Sequence, residues 1–302
     1  MLIPQSLAYA LVAGVPAQMG LYASILPLLA YALFGSSRTL AVGPVAVVSL
    51  MTAAAAGQVA GGDSGAYLAA TVILALLSGV FLVAMGLLRL GWIANLLSHS
   101  VISGFITASG LLIAASQLKH LLGIPMQGDT LWELGLSASR EAAGVNGATL
   151  LLGAAALLFL LWARGPLKRL LARTPLPPML ADLLAKAGPV LAVIGTTVAV
   201  AAGDLQSQGV AVVGAIPGGL PALSLPAFDA GVWGQLALPA LLISLIGFVE
   251  SVSVAQTLAA KRRQRIDSNA ELIGLGAANL ASGVSGGFPV TGGVSRSVVN
   301  FD

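Results

Sequence analysis

Cysteine is absent from the chain, so neither a disulfide framework nor a thiolate metal site is open to it. The two histidines, His99 and His120, are too few for most zinc arrangements, and no metal or cofactor is expected. Charge is scarce as well. Only 8% of the 302 residues are Asp, Glu, Lys or Arg, against roughly 25% in soluble domains, whose surfaces must face water. A water-exposed surface cannot be built from so few charges. Aromatics stand at 5%. The net charge of +3 and pI near 9.5 come without an aromatic-basic stripe, which argues against nucleic acid as a partner.

What is abundant is aliphatic sequence: 57% of residues are hydrophobic and the mean hydropathy is +0.96. The 37 glycines and 15 prolines sit inside these apolar runs, where membrane helices tolerate both. A spanning helix needs about 20 mostly apolar residues, so the intervals between charges serve as a ruler. They predict an all-α polytopic membrane protein of about ten passes. Residues 1–37 read as one helix ending and a second returning at the turn from Gly14 to Gly20. A short helix over residues 45–56 follows Gly43-Pro44. Longer spans are expected at 65–88, 101–118, 146–163, 188–203, 236–257 and 270–288, and a last helix begins near Ser295.

Short cytoplasmic loops collect Lys and Arg, which orients the passes. If they alternate, one side receives Arg38, Arg89, Arg164, Lys168, Arg169, Arg173, Lys186, Lys261, Arg262, Arg263 and Arg265, and the other only Lys119 and Arg140. That imbalance places the basic loops in the cytoplasm. The base-poor side carries Asp63, Asp129, Glu133, Glu141, Asp204 and Asp229. The start shows no basic segment and is interrupted by Pro4-Gln5, which argues against a signal peptide. Met1 lies inside the first helix and Asp302 cuts another, so the chain is read as a fragment of a longer protein.

Two charges fall where charges are costly. Between Asp229 and Lys261, Glu250 is the lone ionisable residue, and a carboxylate at that depth costs several kcal/mol unless it is protonated, paired or hydrated. Arg296 stands in Ser295-Arg296-Ser297 directly after Thr291-Gly292-Gly293. Free amides at a helix start attract anions, small residues allow close approach, and a guanidinium adds a full charge. Pairing of Glu250 with Arg296 is a second reading of both. Gly43-Pro44-Val45 has the same design, a glycine and an N1-type proline before a short apolar helix. Paired half-helices of this kind mark transporters built from inverted repeats. A short echo supports a repeat: Gln5-Ser6-Leu7-Ala8 resembles Gln256-Thr257-Leu258-Ala259, and each Gln stands 39 residues before Pro44 or Ser295. Gly283-Val284-Ser285-Gly286-Gly287 fits the G-x-S-x-G pattern of serine hydrolases. A serine nucleophile needs a positioned base, and packing through small residues explains the stretch better.

Three stretches together resemble the SulP (sulfate permease) family. They are Ile3-Pro4-Gln5-Ser6-Leu7-Ala8-Tyr9-Ala10 with Gly20-Leu21-Tyr22, Gly35-Ser36-Ser37-Arg38 leading to Gly43-Pro44-Val45-Ala46-Val47-Val48-Ser49, and Asp267 to Asn300, which includes Asn269-Ala270-Glu271-Leu272-Ile273-Gly274-Leu275-Gly276 and Ser295-Arg296-Ser297. The resemblance runs through essentially the whole chain. It implies passes one to ten of a fourteen-pass fold of two inverted sevens, with short half-helices near residues 45–56 and from 295. It implies a substrate site lined by Gln5 and Tyr9, a backbone amide at Val45, and Ser295 with Arg296 at the second pole. Glu250 matches the eighth-helix acid of members similar to proton-coupled sulfate transporters, where sodium-coupled bicarbonate relatives tend to have Asp.

The resulting expectation is secondary active transport of a small inorganic oxyanion, sulfate first, coupled to protons through Glu250. Bicarbonate or dicarboxylate transport, sodium coupling and anion exchange are alternatives within the family. A nucleobase-type transporter shares the architecture, though a neutral base needs no guanidinium, and an intramembrane hydrolase at Ser285 is the reading from another class. No enzyme activity is expected. The implied organisation is a core of 1–90 (passes 1–4) and 230–302 (passes 8–10) moving elevator-like against a gate of 91–205 (passes 5–7), with no STAS domain. The resemblance also implies a homodimer in a bacterial inner (plasma) membrane, with lipid, the anion, and protons or Na+ as its partners.

Overall fold

The computed structural model describes residues 2–95, 99–126, 128, 130–167, 187–212, 219, 223, 226 and 228–301. In chain order the helices are α1 (Leu2–Val12), α2 (Ala17–Tyr22), α3 (Leu26–Phe34), α4 (Ala46–Ala60), α5 (Ser64–Leu87), α6 (His99–Leu122), α7 (Leu131–Arg140), α8 (Gly147–Trp162), α9 (Gly188–Ala202), α10 (Ala230–Lys261), α11 (Ser268–Val284) and α12 (Val294–Phe301). Two strands, β1 (Val42–Gly43) and β2 (Thr291–Gly292), interrupt this helical order. Among the described helices, α5, α10 and the stretch Ala17–Phe34 are long and apolar enough to cross a membrane. The basic residues Lys168, Arg169, Arg173 and Lys186, and the acidic Asp129, lie outside the described residues.

Several boundaries differ from the sequence expectation, each for a local reason. The second pass is broken at Ala23–Ile25 into α2 and α3. Pro27 has no N–H to continue the ladder, and its ring would clash with the carbonyl four residues back. The short helix runs on to Ala60, where Gly61 turns left-handed at φ 53°. Helix α10 is 32 residues long, because Asp229 caps it by accepting from the amides of Gly231 and Val232. Helix α11 stops at Val284: Gly286 is left-handed at φ 70°, its amide bonds the Gly283 carbonyl, and the Gly287 amide reaches back to Ser282 at 2.7 Å. That pattern is a Schellman cap. It also explains the G-x-S-x-G sequence, since Ser285 is fully buried and its hydroxyl donates to the Ala281 and Ser282 carbonyls. Helix α7 was not expected in its loop; Thr130 and Glu133 form a reciprocal capping box at its start.

The chain divides into two compact units, one of Leu2–Ser109 with Ile216–Asp302 and one of Gly110–Ala215. The core of the larger unit is the pair α5–α11, and glycine makes it possible. A Cβ on Gly79 would lie 2.9 Å from the Gly276 carbonyl oxygen, and one on Gly276 would lie 2.9 Å from that of Gly79. The two backbones thus touch directly, as small residues allow in membranes. On its other side α11 meets α3, where a Cβ on Gly274 would be 2.7 Å from the Gly35 Cα. Gly276→Val is therefore expected to part α5 from α11. The measurement is thermal unfolding of the detergent-solubilised protein, with a lowered midpoint and a loss of monodisperse protein as the predicted result; overpacking of this kind costs about 1–3 kcal/mol or more.

Glu271 locks the same region and is a second buried acid that the sequence reading did not single out. It is fully buried in the first turn of α11, and its two oxygens accept from the Tyr31 hydroxyl (2.6 Å), the Ser36 amide (2.8 Å) and hydroxyl (2.7 Å), and the Ser37 amide (2.9 Å). With four donors around it, this carboxyl group is structural.

Candidate functional site

The two short helices announced by glycine begin side by side. β1 and β2 pair antiparallel, Val42 opposite Gly292 and Gly43 opposite Thr291, and each strand feeds directly into a helix start, α4 and α12. The junction is closed by further bonds. The Gly293 amide donates to Ala41 (3.1 Å), the Ala41 amide to the Ser297 hydroxyl (3.0 Å), and that hydroxyl to the Gly293 carbonyl (2.7 Å). Two further helices hold β2 in place. Asn279 of α11 accepts from the Val290 amide and donates to its carbonyl, at 3.0 and 2.9 Å, standing in for a neighbouring strand. From α10, Ser251 accepts the Gly292 amide at 2.8 Å and shares a 2.6 Å hydroxyl contact with Thr291, which donates to the Gly247 carbonyl. All of the residues in this clasp except the half-buried Ala41 are buried, where water competes little.

At such a junction the first amides of α4 and α12 have no partner within their own helices, and neither helix is capped by a side chain among the bonds described. Both therefore present partial positive charge. Val45 stands at the start of α4 and is buried. Arg296, in the first turn of α12, is only 5% exposed. Its guanidinium lies against backbone: a Cβ on Gly43 would be 2.5 Å from Nη1, and one on Gly293 would be 3.0 Å from Nη2. Gly43 of β1 and Gly293 just after β2 thus leave the space that the guanidinium fills. Nη1 and Nη2 are buried, and neither has a hydrogen-bond partner among the described residues.

The remaining predicted residues can be placed around this pole. Gln5 and Tyr9 are one helical turn apart on α1 and share a face; both are half-buried. The Gln5 Oε1 is buried without a hydrogen-bond partner among the described residues, and Tyr9 lies within electrostatic reach of both Arg296 and Glu250. Glu250 precedes the clasp residue Ser251 on α10, and its buried Oε2 has no hydrogen-bond partner among the described residues. Glu250 and Arg296 form no ion pair there, so the pairing reading falls. Ser295 is the exception among the predicted residues. It is exposed, one position around the helix from Arg296, and does not join the buried group. Sequence reasoning passed over Ser49, which is fully buried four residues beyond Val45 on the same face of α4, its hydroxyl without a hydrogen-bond partner among the described residues. Its signal was available: a hydroxyl one turn inside an otherwise largely apolar helix.

Helix packing keeps α1 close to this region. A Cβ on Gly20 would come within 2.1 Å of the Ser6 carbonyl oxygen, and the Ser6 and Ser24 hydroxyls meet at 2.6 Å. The Tyr67 hydroxyl of α5 donates to the Ala13 carbonyl at the end of α1, 2.7 Å away. The turn after α1 is a second Schellman cap, with Gly14 left-handed at φ 69° and the Val15 amide bonded to Ala10. The Arg296 guanidinium thus meets the starts of α4 and α12 at the strand pair, and Tyr9 of α1 is in electrostatic reach of both Arg296 and Glu250. Chemically this set suits a small oxyanion: donors and positive charge for its oxygens, with one group able to carry a proton.

The sequence profile described as the sulfate permease family matches residues 1–302. A chloroplastic sulfate transporter of Arabidopsis thaliana is 39% identical over 99% of this chain and 42% of its own length. Among solved structures, the murine Solute Carrier 26 family member A9 anion transporter in the inward-facing state matches with a TM-score of 0.84 at 26% identity, over 99% of this chain and 50% of that one. The transmembrane domain of a cyanobacterium bicarbonate transporter, BicA, gives 0.79 at 25% identity, over 99% of this chain and 73% of that one. The chain thus spans about half the length of the curated relatives it matches, and it shares the inverted-repeat transporter fold of these membrane domains.

Proposed function

The chain belongs to the sulfate permease family, and from that membership we propose that it carries the substrate site of a secondary active transporter for a small inorganic oxyanion, sulfate first. The observation that carries this reading is the Arg296 guanidinium, buried between Gly43 and Gly293 with neither terminal nitrogen partnered among the described residues. A buried charge without a partner costs several kcal/mol. An anion seated between the two helix starts would offset that cost, and a neutral nucleobase would not. The names of relatives support the class, a sulfate transporter and a bicarbonate transporter among them.

In this reading Arg296 and the amides of α4 and α12 hold the anion, Gln5, Tyr9 and Ser49 line its other side, and Glu250 carries a proton coupled to it. The core is 1–90 with 230–302, and 91–205 forms the gate against which it moves. The bacterial plasma membrane is the proposed location and a homodimer the proposed assembly. Bicarbonate, dicarboxylate or exchange chemistry would use the same pole with a different partner ion.

The test is uptake of labelled sulfate into proteoliposomes, with bicarbonate and dicarboxylates as competitors. Sulfate uptake that unlabelled sulfate competes best supports the assignment, and preference for bicarbonate would reassign the substrate. In the same assay Gln5→Ala and Tyr9→Ala are expected to raise the apparent KM, by roughly fivefold to tenfold if each removes one hydrogen bond of about 1 kcal/mol. Expression should be unchanged. Wild-type kinetics in both variants would remove α1 from the site.

A further inference from the structure

Helix α7 belongs to neither a membrane pass nor the substrate site, and its surface is divided in three. At about 100° per residue, Leu134, Ser137 and Ala138 fall on one side, and they are its buried or half-buried residues. Arg140 and Glu133 fall together on a second. The third arc runs from Leu131 through Gly135 and Ser139 to Trp132 and Leu136 and carries no charge. Its large apolar residues are exposed, Trp132 by 80%, Leu131 by 51% and Leu136 by 41%.

The position of α7 along its neighbours fixes what meets this arc. Leu134 clusters with Ile124 and Met126, and that cluster packs against Leu112, Ala115 and Leu122 of α6. Leu112 is about 15 Å below the end of α6 at 1.5 Å per residue, so the cluster folds back along the last turns of a membrane helix. The ends of three helices are drawn to one level beside it. The Asn146 amide donates to the Leu122 carbonyl closing α6, the Asn146 side chain caps α8 through the Thr149 amide at 2.8 Å, and its Nδ2 donates to the Gln208 carbonyl after α9. Apolar membrane helices end where the hydrocarbon layer ends, so a level shared by three helix ends is where that edge is expected. Tryptophan is favoured there because its ring is apolar at one end and wet at the other.

We propose that α7 is an interfacial helix and that phospholipid is the partner of its third arc. Leu131, Trp132 and Leu136 insert at the headgroup–acyl boundary, Glu133 and Arg140 face water, and the Leu134 side anchors the helix to α6. This goes beyond the transport reading and does not depend on it.

The lack of cysteine makes the test direct. Single-cysteine variants Trp132→Cys, Leu136→Cys and Arg140→Cys of the chain, reconstituted in phosphatidylcholine vesicles, are spin-labelled and probed with oxygen, which partitions into lipid, and a water-soluble nickel chelate. The expected result is high oxygen and low nickel collision at 132 and 136, reversed at 140. Nickel access at 132 and 136 equal to that at 140 would overturn the proposal, because the helix would then stand in water. Low access to both probes would also overturn it, since protein would be covering the arc. A second measurement needs no label: the emission lost in Trp132→Phe should be quenched by brominated phosphatidylcholine and not by iodide, and quenching by iodide alone rejects the lipid contact.

Discussion

Replacing Arg296 with alanine is expected to remove specific anion binding without destabilising the unliganded protein. The two halves of that result come from one observation, the absence of a partner for Nη1 and Nη2 among the described residues. Taking away one member of a buried charge pair costs about 3–5 kcal/mol, which corresponds to a loss of affinity on the order of 100- to 4,000-fold. In the protein without anion no pair exists to be broken, so removing the charge costs no ion pair there. The measurement is thermal unfolding with and without sulfate. Wild-type protein should gain stability with ligand concentration, by about 2.7 kcal/mol at 100 times Kd, and Arg296→Ala should gain none. Arg296→Lys should fall between them, because an ammonium keeps the charge but lacks the planar fork that engages two oxygens. Undiminished sulfate stabilisation in the alanine variant would remove Arg296 from the site.

Glu250→Gln is expected to separate binding from accumulation. The carboxyl group lies in α10 beside Ser251, whose hydroxyl holds the Gly292 amide and meets Thr291. The residue proposed to carry the proton is thus one peptide unit from the clasp that positions the start of α12. If proton and anion occupancy favour one another, each must change the affinity of the other by the same factor. Glutamine keeps the shape and cannot exchange a proton. The variant should therefore bind sulfate and move it down its own gradient, yet show no stimulation by an imposed inward proton gradient in proteoliposomes, where wild type is stimulated severalfold. A variant driven by the gradient as strongly as wild type would rule out Glu250 as the proton carrier and favour sodium coupling or exchange.

Both predictions concern residues that were conspicuous in the sequence, and for one physical reason. Charge inside an apolar run is costly enough that its presence is informative without any coordinates. The same holds for the membrane class and most of the helix order, which follow from hydropathy and length, and for the two glycine-marked half-helices, because few other residues allow so close a backbone approach. The family resemblance rested on those same stretches.

Other features depended on contacts between residues far apart in the chain. No local rule could tell that Glu271 is satisfied by Tyr31, Ser36 and Ser37, since these partners lie more than 200 residues away, while the Glu250 Oε2 finds none among the described residues. The direction of Ser295 out of the buried group, and of Ser49 into the protein, depends on helix rotation, which packing sets. The apolar arc of α7 was hidden because a ten-residue helix is too short to register against a ruler of membrane spans. By itself the sequence determined the solvent, most of the helix order and which charges stand inside apolar runs, because transfer out of water is a property of each residue. The tertiary structure alone decided which of those charges found partners, because partnership is a property of pairs.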